Sequence, residues 1–135
     1  MSRLFLGLDS STQSLTAVVI DLTSREIVYE DSVGFDETFP SYGTQNGVLP
    51  HQDPRVVHTP PLIWVEALDV LFEKMSDAGA RLSEVLAVSG SGQQHGSVYL
   101  NDEAAKALEG LDPSRSLKEN LEGVFSRQTS PVWMD

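Results

Sequence analysis

The chain has 135 residues, the size of one domain, and its 40% hydrophobic and 21% charged residues are ordinary for a globular protein. Nine Lys and Arg against 20 Asp and Glu give a formal charge of −11 without a basic cluster, so nucleic-acid binding is not expected. There is no cysteine, no signal-peptide pattern and no apolar stretch near the roughly 20 residues that a membrane span needs, so the default expectation is a soluble cytoplasmic protein.

An acidic turn rich in hydroxyl groups lies between the first two predicted strands, residues 4–9 and 15–21. Asp9 can hold a hydrated Mg²⁺ ion, while Ser11, Thr12 and the turn amides can donate hydrogen bonds to phosphoryl oxygens. The alternative is an aspartate that caps its own turn, although this turn contains more hydroxyl groups than capping needs.

A third strand at 27–35 completes a predicted antiparallel meander. Residues 39–59 are rich in Pro and Gly and predict a long surface loop. Thr59, followed by Pro60, has the pattern of a helix N-cap. The apolar periodicity after it predicts a helix that packs on the sheet through Trp64, Leu68, Leu71, Phe72 and Met75. Gly79 is placed to end this helix.

Residues 85–88 predict a short buried strand, parallel to the first one because a helix precedes it. A glycine-punctuated turn at 90–96 follows. Gln94 and His95 there bring amide and imidazole groups together, and a polyol needs such donors and acceptors. Ligands of open α/β sheets usually bind at strand ends. A purely structural histidine is the alternative.

The rest of the chain predicts a short strand at 98–100, helices at 103–108 and 114–125, and a last strand that ends with Trp133 and Asp135. An indole beside a carboxylate can bind a sugar, whereas a tryptophan in a strand is often a core residue. His51 and His58 have no identifiable partner and are interpreted as loop residues. The fold prediction is an α/β domain with a mixed sheet of about five strands and flanking helices.

Three segments resemble the N-terminal part of FGGY-family carbohydrate kinases, and most closely xylulose kinases. They are Gly-Leu-Asp-Ser-Ser-Thr-Gln-Ser at 7–14, Ser-Gly-Ser-Gly-Gln-Gln-His-Gly-Ser-Val-Tyr at 89–99 and Pro-Val-Trp-Met-Asp at 131–135. The Gln-His-Gly turn is the most specific of these. The Asp-x-x-Thr turn is shared more widely, among sugar kinases, actin and related ATPases.

This resemblance implies a ribonuclease-H-like (actin-like ATPase) domain and ATP-dependent phosphorylation of a ketose, first of all D-xylulose to D-xylulose 5-phosphate. By the family pattern, the residues facing ATP and Mg²⁺ would be Asp9, Ser11, Thr12 and Gln13, with Asp9 at the metal. The residues of the sugar side would be Gln94, His95, Trp133 and Asp135. Many relatives have glycine in place of Ser11, and a side chain there would crowd the approach of phosphate.

Kinases of this family have two ribonuclease-H-like domains around the active-site cleft. Residues 1–135 are therefore expected to be the N-terminal portion of the first domain, with the second domain absent and the catalytic base beyond Asp135. The isolated chain is expected to be inactive, and its missing partner is the C-terminal part of the kinase. An exposed inter-domain face leaves a homodimer open. Two alternatives are a non-catalytic sugar-binding or regulatory module and a nuclease that uses Asp9 with other carboxylates around two metals.

Overall fold

The computed structural model describes residues 2–135, which form a four-stranded mixed sheet, a two-stranded ribbon and four helices. The strands are β1 (Leu4–Ser10), β2 (Ser14–Asp21), β3 (Glu26–Gly34), β4 (His58–Thr59), β5 (Val85–Gly92) and β6 (Ser130–Pro131). The helices are α1 (Phe35–Thr38), α2 (Leu62–Asp77), α3 (Ala104–Glu109) and α4 (Leu117–Leu121), with 3-10 turns at Pro40–Tyr42 and Leu82–Glu84. None of these helices is long and apolar enough to cross a lipid bilayer.

The main sheet has the strand order β3-β2-β1-β5. Strands β1, β2 and β3 form an antiparallel meander, and β5 pairs in parallel with β1, so both predictions are confirmed. The strand predicted at 98–100 is wrong, because Leu100 makes only an isolated bridge to Phe125. The C-terminal strand is confined to β6, which pairs with β4 in the separate ribbon rather than with the main sheet.

Helix α2 covers one face of the main sheet. Its fully buried side chains are Ile63, Ala67, Leu71 and Met75, and their spacing of four residues places them in one stripe along the helix. They pack against the apolar side chains that alternate along β1 and β2. Trp64, which the periodicity assigned to this face, lies half-buried at its border. The predicted helix is confirmed: Leu71 and Met75 are buried as predicted, and the other two buried positions are Ile63 and Ala67.

The predicted N-cap of α2 is wrong. Thr59 belongs to β4, and its buried hydroxyl donates a hydrogen bond to the carbonyl oxygen of Gly47. The helix begins only at Leu62, after Pro61. Pairing of β4 with β6 holds Thr59 in an extended conformation, and that long-range contact overrides the local Thr-Pro signal.

The C-terminal end of α2 follows its sequence signal. Gly79 has φ +74°, a left-handed conformation that glycine adopts without steric cost. The Gly79 amide donates to the carbonyl oxygen of Ser76, and the Ala80 amide donates to that of Met75, each at 2.9 Å. These two hydrogen bonds are those of a Schellman motif, so the prediction that Gly79 ends the helix is confirmed.

The central part of the 39–59 loop is packed rather than free on the surface. Gly47 has φ +80°, and a Cβ atom there would lie 1.9 Å from the carbonyl oxygen of Thr12. The Asp36 carboxylate accepts hydrogen bonds from the Thr44 hydroxyl at 2.6 Å and the Gly47 amide at 3.1 Å. The Thr44 bond is the main reason that the pKa of Asp36 lies below its usual value. This loop therefore supports the back of the turn between β1 and β2.

The predicted helix at 114–125 shortens to α4. Ser116 and Glu119 form a capping box, in which the Ser116 hydroxyl accepts from the Glu119 amide and the Glu119 carboxylate accepts from the Ser116 amide. Before the helix, Asp112 accepts from the amide and hydroxyl of Ser114. Residues 112–114 thus form a turn that precedes α4.

The outer edge of β5 is uncovered by the residues that the structure describes. Among them β5 has a neighbouring strand only on its β1 side. Leu86 and Val88 are 63% and 60% exposed, so the prediction that residues 85–88 are buried is wrong. An exposed apolar edge strand is a ready template for pairing with another strand.

Candidate functional site

Asp9 lies at the end of the main sheet where β1, β2 and β5 meet. Its neighbours in register are Thr16 of β2 and Ser91 of β5. The Ser91 hydroxyl donates to Asp9 Oδ1 at 2.5 Å, while Oδ2 accepts no hydrogen bond from residues 2–135. The Asp9 side chain is exposed. Asp9 does not cap its own turn, and one carboxylate oxygen is available to a ligand.

Ser11 performs the turn capping that was considered for Asp9. Its amide donates to the carbonyl oxygen of Ser14 at 2.9 Å. Its hydroxyl donates to the same carbonyl at 3.1 Å and accepts from the Ser14 amide at 3.2 Å. Both polar groups of Ser11 that were expected to face phosphate are therefore engaged within the turn.

Thr12 is in contact with the C-terminal segment. The indole Nε1–H of Trp133 donates to Thr12 Oγ1 at 2.9 Å, which leaves the hydroxyl proton of Thr12 free for another acceptor. Trp133 is 56% exposed and lies after β6, so neither its predicted place in a strand nor a core role is correct. The indole instead joins the turn to the far end of the chain.

The Gln13 side chain makes no hydrogen bond to residues 2–135. Its side chain is exposed, and its carbonyl oxygen accepts the amide of Phe35 at 2.8 Å, the first residue of α1. Gln13 does not line the cleft described below. Its expected contact with ATP remains a prediction.

Strand β5 leads directly to the predicted sugar-binding residues. It extends to Gly92, so the turn is shorter than predicted and begins at Gln93. The Gln93 side-chain amide donates to the carbonyl oxygen of Ser11 at 3.4 Å, which joins the two turns. Gln94 and His95 are exposed, and His95 has φ +63°, an uncommon conformation for a residue other than glycine.

The two turns and Trp133 enclose a cleft of ≈ 370 Å³. Six of the predicted site residues line it, namely Asp9, Ser11, Thr12, Gln94, His95 and Trp133. The fold thus brings together groups suited to phosphate and groups suited to a polyol, although they come from segments far apart in sequence.

Asp135 lies outside the walls of this cleft. Its Oδ1 accepts from the Val57 amide at 2.8 Å and lies 3.1 Å from His58 Nε2. His58 Nδ1 lies 3.0 Å from the Thr129 hydroxyl. The interpretation of His58 as a loop residue without a partner is therefore wrong, because its partners come from the end of the chain.

The electrostatics of the cleft favour a bound cation. Asp9 and His95 are its titratable side chains, and no Lys or Arg lines it. Within residues 2–135, no three His, Cys, Asp or Glu side chains gather so as to hold a metal ion. Mg²⁺ commonly binds through one carboxylate, several waters and substrate phosphates, and Asp9 fits that donor set.

Comparison with known proteins identifies relatives of the chain. It is 47% identical over 133 residues to xylulose kinase from Rattus norvegicus, a match that covers 98% of this chain and 25% of that protein. The chain is a relative of the xylulose kinases. It is also 48% identical over 135 residues to xylulose kinase 2 from Arabidopsis thaliana, covering 98% of this chain and 24% of that protein. The chain thus spans about a quarter of the length of these curated relatives. No family model matches the chain.

Solved structures show the fold. Ligand-bound xylulose kinase from Lactobacillus acidophilus superimposes with a TM-score of 0.62 at 15% identity, over 98% of this chain and 20% of that one. The predicted fold class is confirmed: this mixed sheet with flanking helices has the ribonuclease-H-like, actin-like ATPase architecture of sugar kinases.

Proposed function

We propose that this chain forms one wall of the active-site cleft of an ATP-dependent sugar kinase that phosphorylates a ketose, first of all D-xylulose to D-xylulose 5-phosphate, in the cytoplasm. The observation that carries the proposal is the single cleft in which Asp9 and Thr12 meet Gln94 and His95. The 47% identity to a xylulose kinase supports the same activity and the same sugar.

The turn between β1 and β2 forms the phosphate side. Asp9, whose Oδ2 is free, would hold a hydrated Mg²⁺ ion, and the ion would supply charge neutralisation at the phosphates of ATP. Thr12 donates its free hydroxyl proton to a phosphoryl oxygen, because the indole of Trp133 already occupies one of its lone pairs. Ser11 keeps the turn closed, and Gln13 reaches the nucleotide from the rim.

The turn after β5 forms the sugar side. Gln94 and His95 offer both donors and acceptors to sugar hydroxyls, and the exposed ring of Trp133 packs against the C–H groups of the sugar. Asp135 contributes by anchoring the segment that holds Trp133, through the Val57 amide.

The catalytic base and a second domain come from polypeptide beyond these 135 residues. Asp9 is the one carboxylate that lines the cleft among the described residues, and it would be committed to the metal. Phosphoryl transfer depends on positioning groups around the substrate from all sides. The chain alone is therefore expected to show no D-xylulose-dependent ATP consumption above that of its Asp9→Ala variant.

The nucleotide half of the proposal is tested by ¹H–¹⁵N NMR of the chain with ATP and Mg²⁺. The amide signals of Ser11, Thr12 and Gln13 are expected to shift saturably, and Asp9→Ala should weaken the affinity at least tenfold because the metal loses its protein ligand. Asp77→Ala, an exposed carboxylate at the end of α2, is the matched control and should leave the affinity unchanged. Shifts that survive in Asp9→Ala, or that appear away from this turn, contradict the assignment.

A further inference from the structure

Asp9 borders two cavities at the end of the main sheet. One is the cleft of ≈ 370 Å³ described above, and the other, of ≈ 280 Å³, lies along β1, β2 and β5. Asp9 lines the second cavity together with Thr16 and Ser91, and neither of these two residues lines the cleft. The Asp9 carboxylate therefore has open space on two sides, and only one of them contains the other predicted site residues.

One hydrogen bond holds the Asp9 side chain in its observed orientation. The Ser91 hydroxyl donates to Asp9 Oδ1 at 2.5 Å, at the short end of the usual range for O–H···O hydrogen bonds. Thr16, the neighbour of Asp9 on the other strand, makes no hydrogen bond to this carboxylate. No other group among residues 2–135 donates to it, so the orientation of Asp9 depends on Ser91.

The position of Ser91 beside Asp9 is set by the pairing of two strands. The two residues are partners in the parallel register of β1 and β5. The pairing continues on both sides of them, since Leu8 pairs with Gly90 and Ser10 pairs with Gly92. Because the sheet fixes both backbones, the Ser91 hydroxyl reaches the carboxylate without the ordering of a flexible segment.

We propose that Ser91 is a positioning residue, which holds Asp9 in the orientation that presents Oδ2 to Mg²⁺ at the cleft. With Oδ1 bound to Ser91, Oδ2 is the oxygen that remains free. Mg²⁺ demands near-ideal octahedral geometry, and a ligand that is already held in place loses no rotamer freedom when the ion binds. Ser91 acts through Asp9, because it does not itself line the cleft. This role rests on the proposed function, since it assumes Mg²⁺ at Asp9.

The size of the effect follows from the rotamers of aspartate. Without the hydrogen bond, the χ1 torsion of Asp9 is free to visit up to three staggered wells. If one of these wells presents Oδ2 to the metal, the competent fraction falls to about a third, and the apparent affinity falls by the same factor. Ser91→Ala should therefore weaken the binding of Mg²⁺–ATP about threefold, which is less than the loss expected for Asp9→Ala.

The first measurement is the orientation of Asp9 in the chain without a ligand. Three-bond NMR couplings from Asp9 Cγ to its backbone nitrogen and carbonyl carbon report χ1. They should indicate one rotamer in the wild type, an average in Ser91→Ala, and one rotamer again in Ser91→Thr, which keeps the hydroxyl on a residue that suits a strand. Ser89→Ala is the matched control, since Ser89 is an exposed serine of β5 whose hydroxyl makes no hydrogen bond within the described chain.

The second measurement is a titration of the chain with ATP, followed by amide NMR signals, once with Mg²⁺ and once with EDTA. Because Ser91 acts through the metal ligand, Ser91→Ala should lose affinity only with Mg²⁺, and Ser91→Thr should recover it. The affinity for ATP in EDTA should be equal in all variants. Ser89→Ala should bind like the wild type under both conditions. A substitution that merely disturbed the turn would weaken both titrations equally.

The two measurements separate failure of the positioning role from failure of the kinase proposal. The role is overturned if Asp9 already averages its rotamers in the wild type, if Ser91→Ala keeps full affinity for Mg²⁺–ATP, or if both titrations weaken equally. In these cases Mg²⁺–ATP binding that depends on Asp9 still supports the proposed function. A loss that Ser91→Thr does not restore also overturns the role. If the wild-type chain binds no Mg²⁺–ATP, the nucleotide half of the proposed function is wrong, and the role of Ser91 falls with it.

Discussion

Thr12 is held in place from two sides by residues that are distant in sequence. The Trp133 indole donates to its hydroxyl, and the backbone of Gly47 packs against its carbonyl oxygen. Because the Thr12 conformation sets the direction of its hydroxyl proton, both contacts bear on how the turn meets a phosphoryl oxygen. The geometry of this turn is thus a tertiary property as well as a local one.

Gly47→Ala tests the backbone contact with Thr12. The substitution adds a methyl group 1.9 Å from a carbonyl oxygen and places alanine at φ +80°, so we expect a loss of about 3 kcal/mol in the free energy of unfolding. Gly43→Ala is the control, since Gly43 has φ +71° with nothing within 4 Å and should lose only the roughly 1 kcal/mol of left-handed strain. Urea denaturation measures both, and equal losses would show that Gly47 does not support the turn.

The ribbon formed by β4 and β6 joins the 39–59 loop to the C-terminal segment. Beyond the two-residue pairing, the ribbon is extended by Asp135 Oδ1, which accepts the Val57 amide, and by His58, which lies between Asp135 and Thr129. These contacts are partly exposed, so the contact between His58 and Asp135 itself contributes little to stability. Their main effect is to fix the segment that positions Trp133.

Asp135→Ala should loosen this ribbon locally. The Val57 amide loses its acceptor, so its hydrogen exchange is expected to accelerate about tenfold, with a loss of about 1 kcal/mol in stability. Asp135→Asn retains a side-chain oxygen as acceptor and should keep the Val57 amide protected. Unchanged exchange of this amide in Asp135→Ala would contradict the anchoring role.

How far the sequence predicts this site depends on how local each contact is. The turn at Asp9 and Thr12 was predictable because its carboxylate and hydroxyl groups are adjacent in the chain. Ser91 was not identified as the partner of Asp9, because that hydrogen bond depends on the register of β5 against β1.

The same limit applies to His58, whose partner Asp135 is far from it in the sequence. No periodicity or spacing reports such a pair. Trp64 carried a helical signal that correctly indicated packing on the sheet, but only the structure shows that it lines a cavity together with Gln93. Element types were therefore more predictable than the contacts between elements.

Among the described residues, the main sheet has two edge strands, β3 and β5. Strand β5 presents the exposed side chains of Leu86 and Val88 beside an unpaired edge, within the residues that the structure describes. The chain also spans only about a quarter of the length of its curated relatives. An exposed apolar edge of this kind is expected to pair with another strand.

The isolated chain is therefore expected to self-associate as its concentration rises. Sedimentation velocity should show a growing dimer fraction, and Leu86→Lys combined with Val88→Lys should return the chain to a monomer because buried charge opposes pairing at the edge. Leu108→Lys is the control, since Leu108 is 55% exposed on α3, outside the sheet, and should leave association unchanged. A wild type that stays monomeric, or association that survives the double substitution, contradicts this use of the edge.

The most direct measurement is the kinase activity of a chimera. The chain replaces the segment that it matches in rat xylulose kinase, and D-xylulose-dependent ATP consumption is assayed. The expected result is an active chimera that loses roughly 100-fold or more in rate with Asp9→Ala or His95→Ala, while Asp77→Ala has no effect. A chimera that melts as cooperatively as the rat enzyme but consumes no ATP with D-xylulose would contradict the proposal that this chain forms a wall of a xylulose-kinase cleft.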